Sequence, residues 1–192
     1  MSKLKITAGL LKGRNIAISK DGNARYTSGK VREAVFNMIG EVKGCNVLDL
    51  YAGSGSFTIE AISRGAQSAT CVEKDRKMAS IIKENFACLS IDKDCLVLNM
   101  DVRYAIPFLY KRICNYDIIF MDPPYEKGLI QETMLLLKNN VVYDRNTVLI
   151  TEFSKRELID PAVSDVWQET ITRQYGDTCI SIFRIDDNAF KS

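Results

Sequence analysis

The sequence contains no histidine. That absence removes Ser-His-Asp and Cys-His catalysis, imidazole acid–base chemistry and zinc sites that depend on imidazole. Its six cysteines (45, 71, 88, 95, 114 and 179) form no C-x-x-C pair. A Cys-only zinc site or a disulfide framework is therefore not expected, and free thiols in the core of a cytoplasmic protein are. Long apolar runs are missing too: Ile118 to Met121 and Met134 to Leu137 each stop after four residues, against the roughly 18 needed to cross a bilayer. The start, Met1 to Ile6, leads into polar sequence rather than the apolar core of a secretion signal. Only four prolines and eleven glycines, with no repeat, leave no material for a long flexible linker.

What is present is 192 residues, 46% hydrophobic and 26% charged, the composition of an ordinary globular domain. The net charge of +2 gives by itself no reason to expect nucleic acid. Its distribution does. Residues 1–44 hold nine Lys or Arg and three acids, a balance of +6, which leaves −4 for residues 45–192. The expected division is a basic N-terminal extension over 1–44 and a mildly acidic main domain over 45–192.

In the extension, Leu4 to Leu11 and Asn15 to Ser19 read as two short strands. A helix follows, capped by Thr27 or Ser28, with Val31, Val35, Met38 and Ile39 on one face. From residue 46 the pattern alternates. Asn46–Tyr51, Ala69–Glu73, Cys95–Asn99, Asp117–Met121 and Thr147–Glu152 read as buried strands, separated by helical stretches at about 56–64, 76–89, 102–112 and 128–139. Asp75 is placed to cap the second of these, with Met78, Ile82, Phe86 and Leu89 on its apolar face. Such alternation predicts a parallel sheet with helices on both faces. Val166–Tyr175 and Thr178–Ile185, joined by Gly176-Asp177, predict an antiparallel hairpin at its end. Trp167 and the six cysteines are expected in the packing.

Two segments can carry chemistry. In Val47 to Phe57 a buried strand runs into a turn with Gly53 and Gly55, whose backbone can approach a ligand at a helix N-terminus. Glu73 ends the next strand, 20 residues after Gly53, where doubly wound folds place an acid on a ribose. The dinucleotide pattern asks for a small residue where Thr58 stands. Asp49, four residues before Gly53, would repel a pyrophosphate but could pair with an ammonium group. A nucleoside carrying an amino acid fits better than a dinucleotide.

The second segment is the strand Asp117–Met121 ending in Asp122-Pro123-Pro124-Tyr125. An exocyclic amine of a base is a poor nucleophile because its lone pair is delocalised into the ring. Acceptors can reorient it, and the Asp122 carboxylate and the Pro123 carbonyl can each take one N–H. Asp122 can also stabilise the positive charge that reaches the nitrogen during methyl transfer. Tyr125 can stack on the base, worth roughly 1–3 kcal/mol. A rigid turn after a strand, with Tyr125 as packing, is the plainer alternative.

On these motifs the sequence resembles class I S-adenosylmethionine-dependent methyltransferases with the (D/N)-P-P-(Y/F) tetrapeptide, and within them the RsmD family of 16S rRNA guanine-N2 methyltransferases, from about Ile6 to Ile185. The resemblance implies a Rossmann-like seven-stranded α/β sheet, parallel with a C-terminal antiparallel hairpin, plus a small N-terminal β-hairpin and helix. It implies S-adenosylmethionine contacts at Asp49, Tyr51, Ala52, Gly53, Ser54, Gly55, Glu73, Lys74, Asp101, Val102 and Asp122, and a catalytic role for Asp122, Pro123, Pro124 and Tyr125. Lys12-Gly13-Arg14 resembles the family's R-G-R, and Arg25 to Asn37 its R-P-T-x-x-x-V-R-E-x-x-F-N. Tyr26 departs from the usual Pro, Gly29 from Asp and Lys12 from Arg.

Lys12, Arg14, Arg25, Lys30 and Arg32 are then expected to contact RNA phosphates. The implied activity is methylation of a guanine N2 in small-subunit rRNA, within a ribosomal particle, by a cytoplasmic monomer with no metal and no membrane partner. Adenine-N6 methylation of DNA or RNA, and an RNA-binding module with a vestigial cofactor fold, are the alternatives.

Overall fold

The computed structural model describes residues 2–19, 27–157, 159 and 166–186. Among the described residues, those up to Asp101 form one compact unit and those from Val102 another.

The first unit opens with an antiparallel pair, β1 (Ser2–Lys5) and β2 (Asn15–Ile18). The expected strand to Leu11 stops early because Ile6 exchanges backbone hydrogen bonds with Gly13 and Arg14, closing a loop in which Gly9 takes φ +78°. Helix α1 (Gly29–Ile39) is capped by Ser28, whose Oγ accepts from Val31 N–H at 3.2 Å. It buries Val35 as predicted, together with Arg32 and Phe36, whereas the predicted Val31, Met38 and Ile39 are only half-buried. The helix is turned because Phe36 stacks on Phe57, ring centres 4.8 Å apart, and because an acid draws Arg32 inside.

Strand β3 (Asn46–Leu50), helix α2 (Ser56–Ser63), β4 (Ser68–Val72), helix α3 (Arg76–Leu89) and β5 (Cys95–Leu98) follow, with β4 parallel to both β3 and β5. Asp75 caps α3, accepting from the N–H groups of Lys77 and Met78. The apolar spacing read from the sequence buries Ile82, Phe86 and Leu89.

The second unit holds α4 (Val102–Lys111), β6 (Tyr116–Met121), α5 (Leu129–Asn139), β7 (Tyr143–Ser154) and the hairpin β8 (Trp167–Tyr175) and β9 (Thr178–Ile185). β6 and β7 are parallel; β9 is antiparallel to both β7 and β8. β7 begins four residues before the predicted start, since the polar Asp144-Arg145-Asn146 stretch reads as a turn yet is absorbed by an irregularity in the β6–β7 register. Strands β3 to β9 form a seven-stranded sheet in the order β5-β4-β3-β6-β7-β9-β8.

Trp167 is 5% exposed and packs against Tyr143. The expectation for the cysteines needs correction: Cys71 and Cys179 are buried, Cys45, Cys95 and Cys114 are half-buried, and Cys88 is exposed on α3. No helix is long and apolar enough to cross a membrane among the described residues.

Candidate active site

In the first unit, the chain leaves β3 through three left-handed residues, Tyr51 (φ 67°), Gly53 (φ 55°) and Gly55 (φ 72°). The turn is held by Ala52 N–H to Val72 O at 3.0 Å and by Gly55 N–H to Ala52 O at 2.7 Å. Ser54 is buried, and its carbonyl accepts from Asn85 Nδ2. A Cβ on Gly53 would meet nothing nearer than Tyr51 O at 4.0 Å, so the loop opens onto space there; one on Gly55 would press on Ile82.

Glu73, just past the end of β4, reaches this loop: its Oε2 accepts from Gly53 N–H at 2.9 Å and its Oε1 from Asp75 N–H at 2.8 Å. Burial raises its pKa, against the pull of those two bonds. Asn99, which in the sequence marks only the end of a strand, braces the same corner by donating Nδ2 to the carbonyls of Glu73 and Lys74. Lys74 itself is exposed and Asp101 half-buried. Val102 is buried at the start of α4.

Asp49 is 1% exposed. Its Oδ2 accepts from the Thr58 hydroxyl at 2.7 Å and from Thr58 N–H at 3.3 Å. Burial pushes its pKa up to about 7 in spite of them, with Glu73 adding in the same direction. Thr58 was visible in the sequence only as a departure from a dinucleotide pattern; its role is to hold Asp49.

In the second unit, β6 delivers Asp122 half-buried, Pro123 buried, Pro124 exposed and Tyr125 half-buried. The Tyr125 hydroxyl donates to Glu152 Oε1 at 3.2 Å and lies 3.2 Å from Thr178 Oγ1. Burial raises the phenol's pKa well above its ordinary value, and the carboxylates of Glu152 and Asp122 act in the same sense. Tyr125 is thus a neutral phenol with its hydroxyl anchored in the sheet. Glu152 is 5% exposed in β7; the only sequence signal for it is a single acid closing an apolar run.

The next residue, Glu126, is left-handed (φ 59°). Its N–H donates to Glu157 Oε2 at 3.1 Å and its Oε1 accepts weakly from Ser154 Oγ at 3.4 Å.

Of the residues expected to contact RNA, Lys12, Arg14 and Lys30 are exposed, and Arg14 Nη2 donates to Cys88 O at 2.9 Å. Arg25, with Tyr26, lies outside the described residues. Arg32 is corrected: its side chain is fully buried and paired with Glu60 at 3.2 Å. Its other nitrogens donate to Lys5 O at 2.7 Å and Thr27 O at 3.4 Å. Those donors serve the fold, so none is presented to a phosphate.

Comparison with known proteins gives one family model, described as conserved hypothetical protein 95, which matches residues 4–184. A ribosomal RNA small subunit methyltransferase D from Buchnera aphidicola (subsp. Acyrthosiphon pisum) is 35% identical over 178 residues, 90% of each chain. The protein of that name from Escherichia coli K12 is 34% identical over 139 residues, 72% of this chain and 68% of that one. Among solved structures, the Escherichia coli protein yhhF is 27% identical, covers 96% of this chain and 99% of its own, and superposes with a TM-score of 0.82. A conserved hypothetical protein from Streptococcus pyogenes is 33% identical, covers 81% and 96%, and gives a TM-score of 0.74.

Proposed function

Because this chain belongs to the conserved hypothetical protein 95 family, which its match over residues 4–184 establishes, we propose that it transfers the methyl group of S-adenosylmethionine to the exocyclic N2 of one guanine in small-subunit rRNA. The relatives that carry the name ribosomal RNA small subunit methyltransferase D supply the substrate class. The observation that carries the chemistry is the Asp122-Pro123-Pro124-Tyr125 turn at the end of β6, with Tyr125 held by its hydroxyl and its ring half-exposed.

The first unit fits the cofactor. The loop is open above Gly53, Glu73 stands beside it to accept from a ribose, and Asp49 lies in the same corner as a counter-charge for an ammonium. Tyr51, Ala52, Ser54, Gly55, Lys74, Asp101 and Val102 complete the proposed contacts. When bound, S-adenosylmethionine supplies a methyl group on a positively charged sulfur.

The protein's part is to present the amine. Asp122 and the Pro123 carbonyl accept one N–H each, which turns the nitrogen lone pair out of conjugation; Pro124 stiffens the turn. Asp122 also opposes the positive charge that gathers on the nitrogen. Tyr125 stacks on the base, which has to leave its helix to reach such a turn. Residues 1–44, with Lys12, Arg14, Arg25 and Lys30, grip phosphates as a basic extension to the methyltransferase domain of 45–192. The setting is a cytoplasmic ribosomal particle, met by a monomer.

Small subunits lacking the modification, incubated with the protein and methyl-labelled S-adenosylmethionine, are expected to yield N2-methylguanosine on nucleoside mass spectrometry. Asp122→Ala is expected to remove it. N6-methyladenosine, no labelled nucleoside, or full activity in Asp122→Ala would overturn the reading.

A further inference from the structure

The loop Ala8 to Arg14 that closes the β1–β2 hairpin is fastened to α2 more firmly than a surface turn requires. Leu10 N–H donates to Ser63 O at 2.7 Å and Leu11 N–H to Ser63 Oγ at 3.0 Å, while the Ser63 hydroxyl donates to Ala8 O at 2.5 Å. One turn earlier on α2, Glu60 accepts from Thr7 N–H, the Thr7 hydroxyl and Ala8 N–H at 2.6–2.9 Å. At Gly9 the two backbones approach so closely that a Cβ would lie 1.8 Å from Ser63 O. The loop cannot swing without breaking several of these bonds.

From this clamped loop Leu10 projects 91% exposed. Lys12 and Arg14 follow it, and Lys3 and Lys5 lie on β1; all four are exposed. Burial would favour a leucine side chain, and the clamped backbone keeps it at the exposed tip. The other end of α2 carries the Gly53–Gly55 loop, eight residues away, or about 12 Å of helix.

We propose that Leu10 is an RNA contact, an apolar tip that packs against an unstacked rRNA base, with Lys12 and Arg14 on the flanking phosphates. Apolar wedges of this kind stabilise unstacked base steps in other nucleic-acid complexes. Helix α2 is then the spacer that sets the distance from this contact to the loop proposed to hold the methyl donor. A polyanion is favoured over a protein surface because the tip is one apolar side chain in a basic field, too small for a protein interface. The proposal rests on the rRNA reading given above.

The test uses the full-length protein, protein-free small-subunit rRNA and assembled small subunits. Leu10→Ala, at an exposed position, is expected to keep its melting temperature and its affinity for S-adenosylmethionine. It is expected to bind protein-free rRNA about tenfold more weakly, the scale of losing most of one apolar side-chain contact. The slope of log affinity against log salt should stay unchanged, whereas Lys12→Ala should flatten it by about one unit. Unaltered rRNA binding by Leu10→Ala would overturn the proposal, and so would a defect confined to assembled subunits, which would assign the tip to a ribosomal protein. Those results leave methylation by the wild-type protein standing. If the wild type neither binds nor methylates rRNA, the proposed function falls and this contact falls with it.

Discussion

The Thr58 hydroxyl donates to the Asp49 carboxylate at 2.7 Å, tying the end of β3 to the first turn of α2 in a corner where Asp49 is almost wholly closed to solvent. Burial outweighs that bond and raises Asp49 from 3.8 to about 7. Between those two values the folded state keeps a proton that the unfolded chain has lost. The unliganded protein therefore loses stability as pH rises from about 4 to about 7, and this contribution is flat above that. Urea unfolding from pH 5 to pH 8 is expected to show the fall. Asp49→Asn should flatten it, leaving the part that Glu73 contributes in the same sense. Thr58→Val, which removes the hydroxyl and keeps the volume, should carry the fall to higher pH. An unchanged slope in Asp49→Asn would show that Asp49 is ionised throughout.

Glu73 bridges Gly53 N–H and Asp75 N–H, so one carboxylate holds both the glycine loop and the approach to α3. Glu73→Ala removes two charge-assisted hydrogen bonds and the proposed ribose acceptor together. At about 1.5–3 kcal/mol for a hydrogen bond to a charged group, S-adenosylmethionine affinity is expected to fall at least tenfold in calorimetry. Glu73→Gln keeps an acceptor for Gly53 and should fall less. Equal affinity in Glu73→Ala and wild type would remove Glu73 from the cofactor site.

Helix α3 and the Glu73–Gly53 relation were legible from the sequence because each follows from spacing along the chain: a cap and a period of 3.6 for the helix, 20 residues between strand turn and acid for the pair. The parallel strands were legible for the same reason. Arg32 was not, since a charge on an amphipathic helix reads as surface, and the carboxylate that makes its burial tolerable, Glu60, lies 28 residues on. The anchoring of Tyr125 by Glu152 and Thr178 was hidden likewise: those partners lie 27 and 53 residues away, and strand pairing alone brings them together. Periodicity reports which face an element buries, and says little about which distant polar group meets it there.

Glu60 accepts from Arg32, Arg64, Thr7 and Ala8 with its side chain fully buried. Its pKa is lowered: burial opposes the charge, but the bonds from Thr7 and Arg32 together prevail. Stability from this group is therefore present above the unfolded value of 4.5 and is lost as pH falls through the lower folded one, the opposite sense to Asp49. Glu60→Ala leaves Arg32 buried without its carboxylate and is expected to destabilise by about 3–5 kcal/mol. Arg64→Ala, at a partly exposed position, should destabilise by roughly 1 kcal/mol or less. Chemical denaturation at pH 7 measures both, and a loss under 1 kcal/mol for Glu60→Ala would contradict the assignment of this cluster as the anchor of the N-terminal loop.

Tyr125 and Glu152 separate ring from hydroxyl. Tyr125→Ala removes the ring, and roughly 1–3 kcal/mol of stacking corresponds to a loss of about 5- to 150-fold in kcat/KM for rRNA. Tyr125→Phe keeps the ring but frees it from Glu152 Oε1 and Thr178 Oγ1, so a loss of only a few-fold is expected. Glu152→Gln retains an acceptor for the phenol and should stay near wild type, whereas Glu152→Ala, which leaves the Thr178 contact, should lose no more than Tyr125→Phe. Because Glu152 acts through the phenol hydroxyl, Tyr125→Phe combined with Glu152→Ala should be no worse than Tyr125→Phe alone. Losses that multiply in the double variant would mean that Glu152 acts on the substrate by itself. S-adenosylmethionine affinity should stay constant across the series, since the phenol is proposed to hold the base and not the methyl donor.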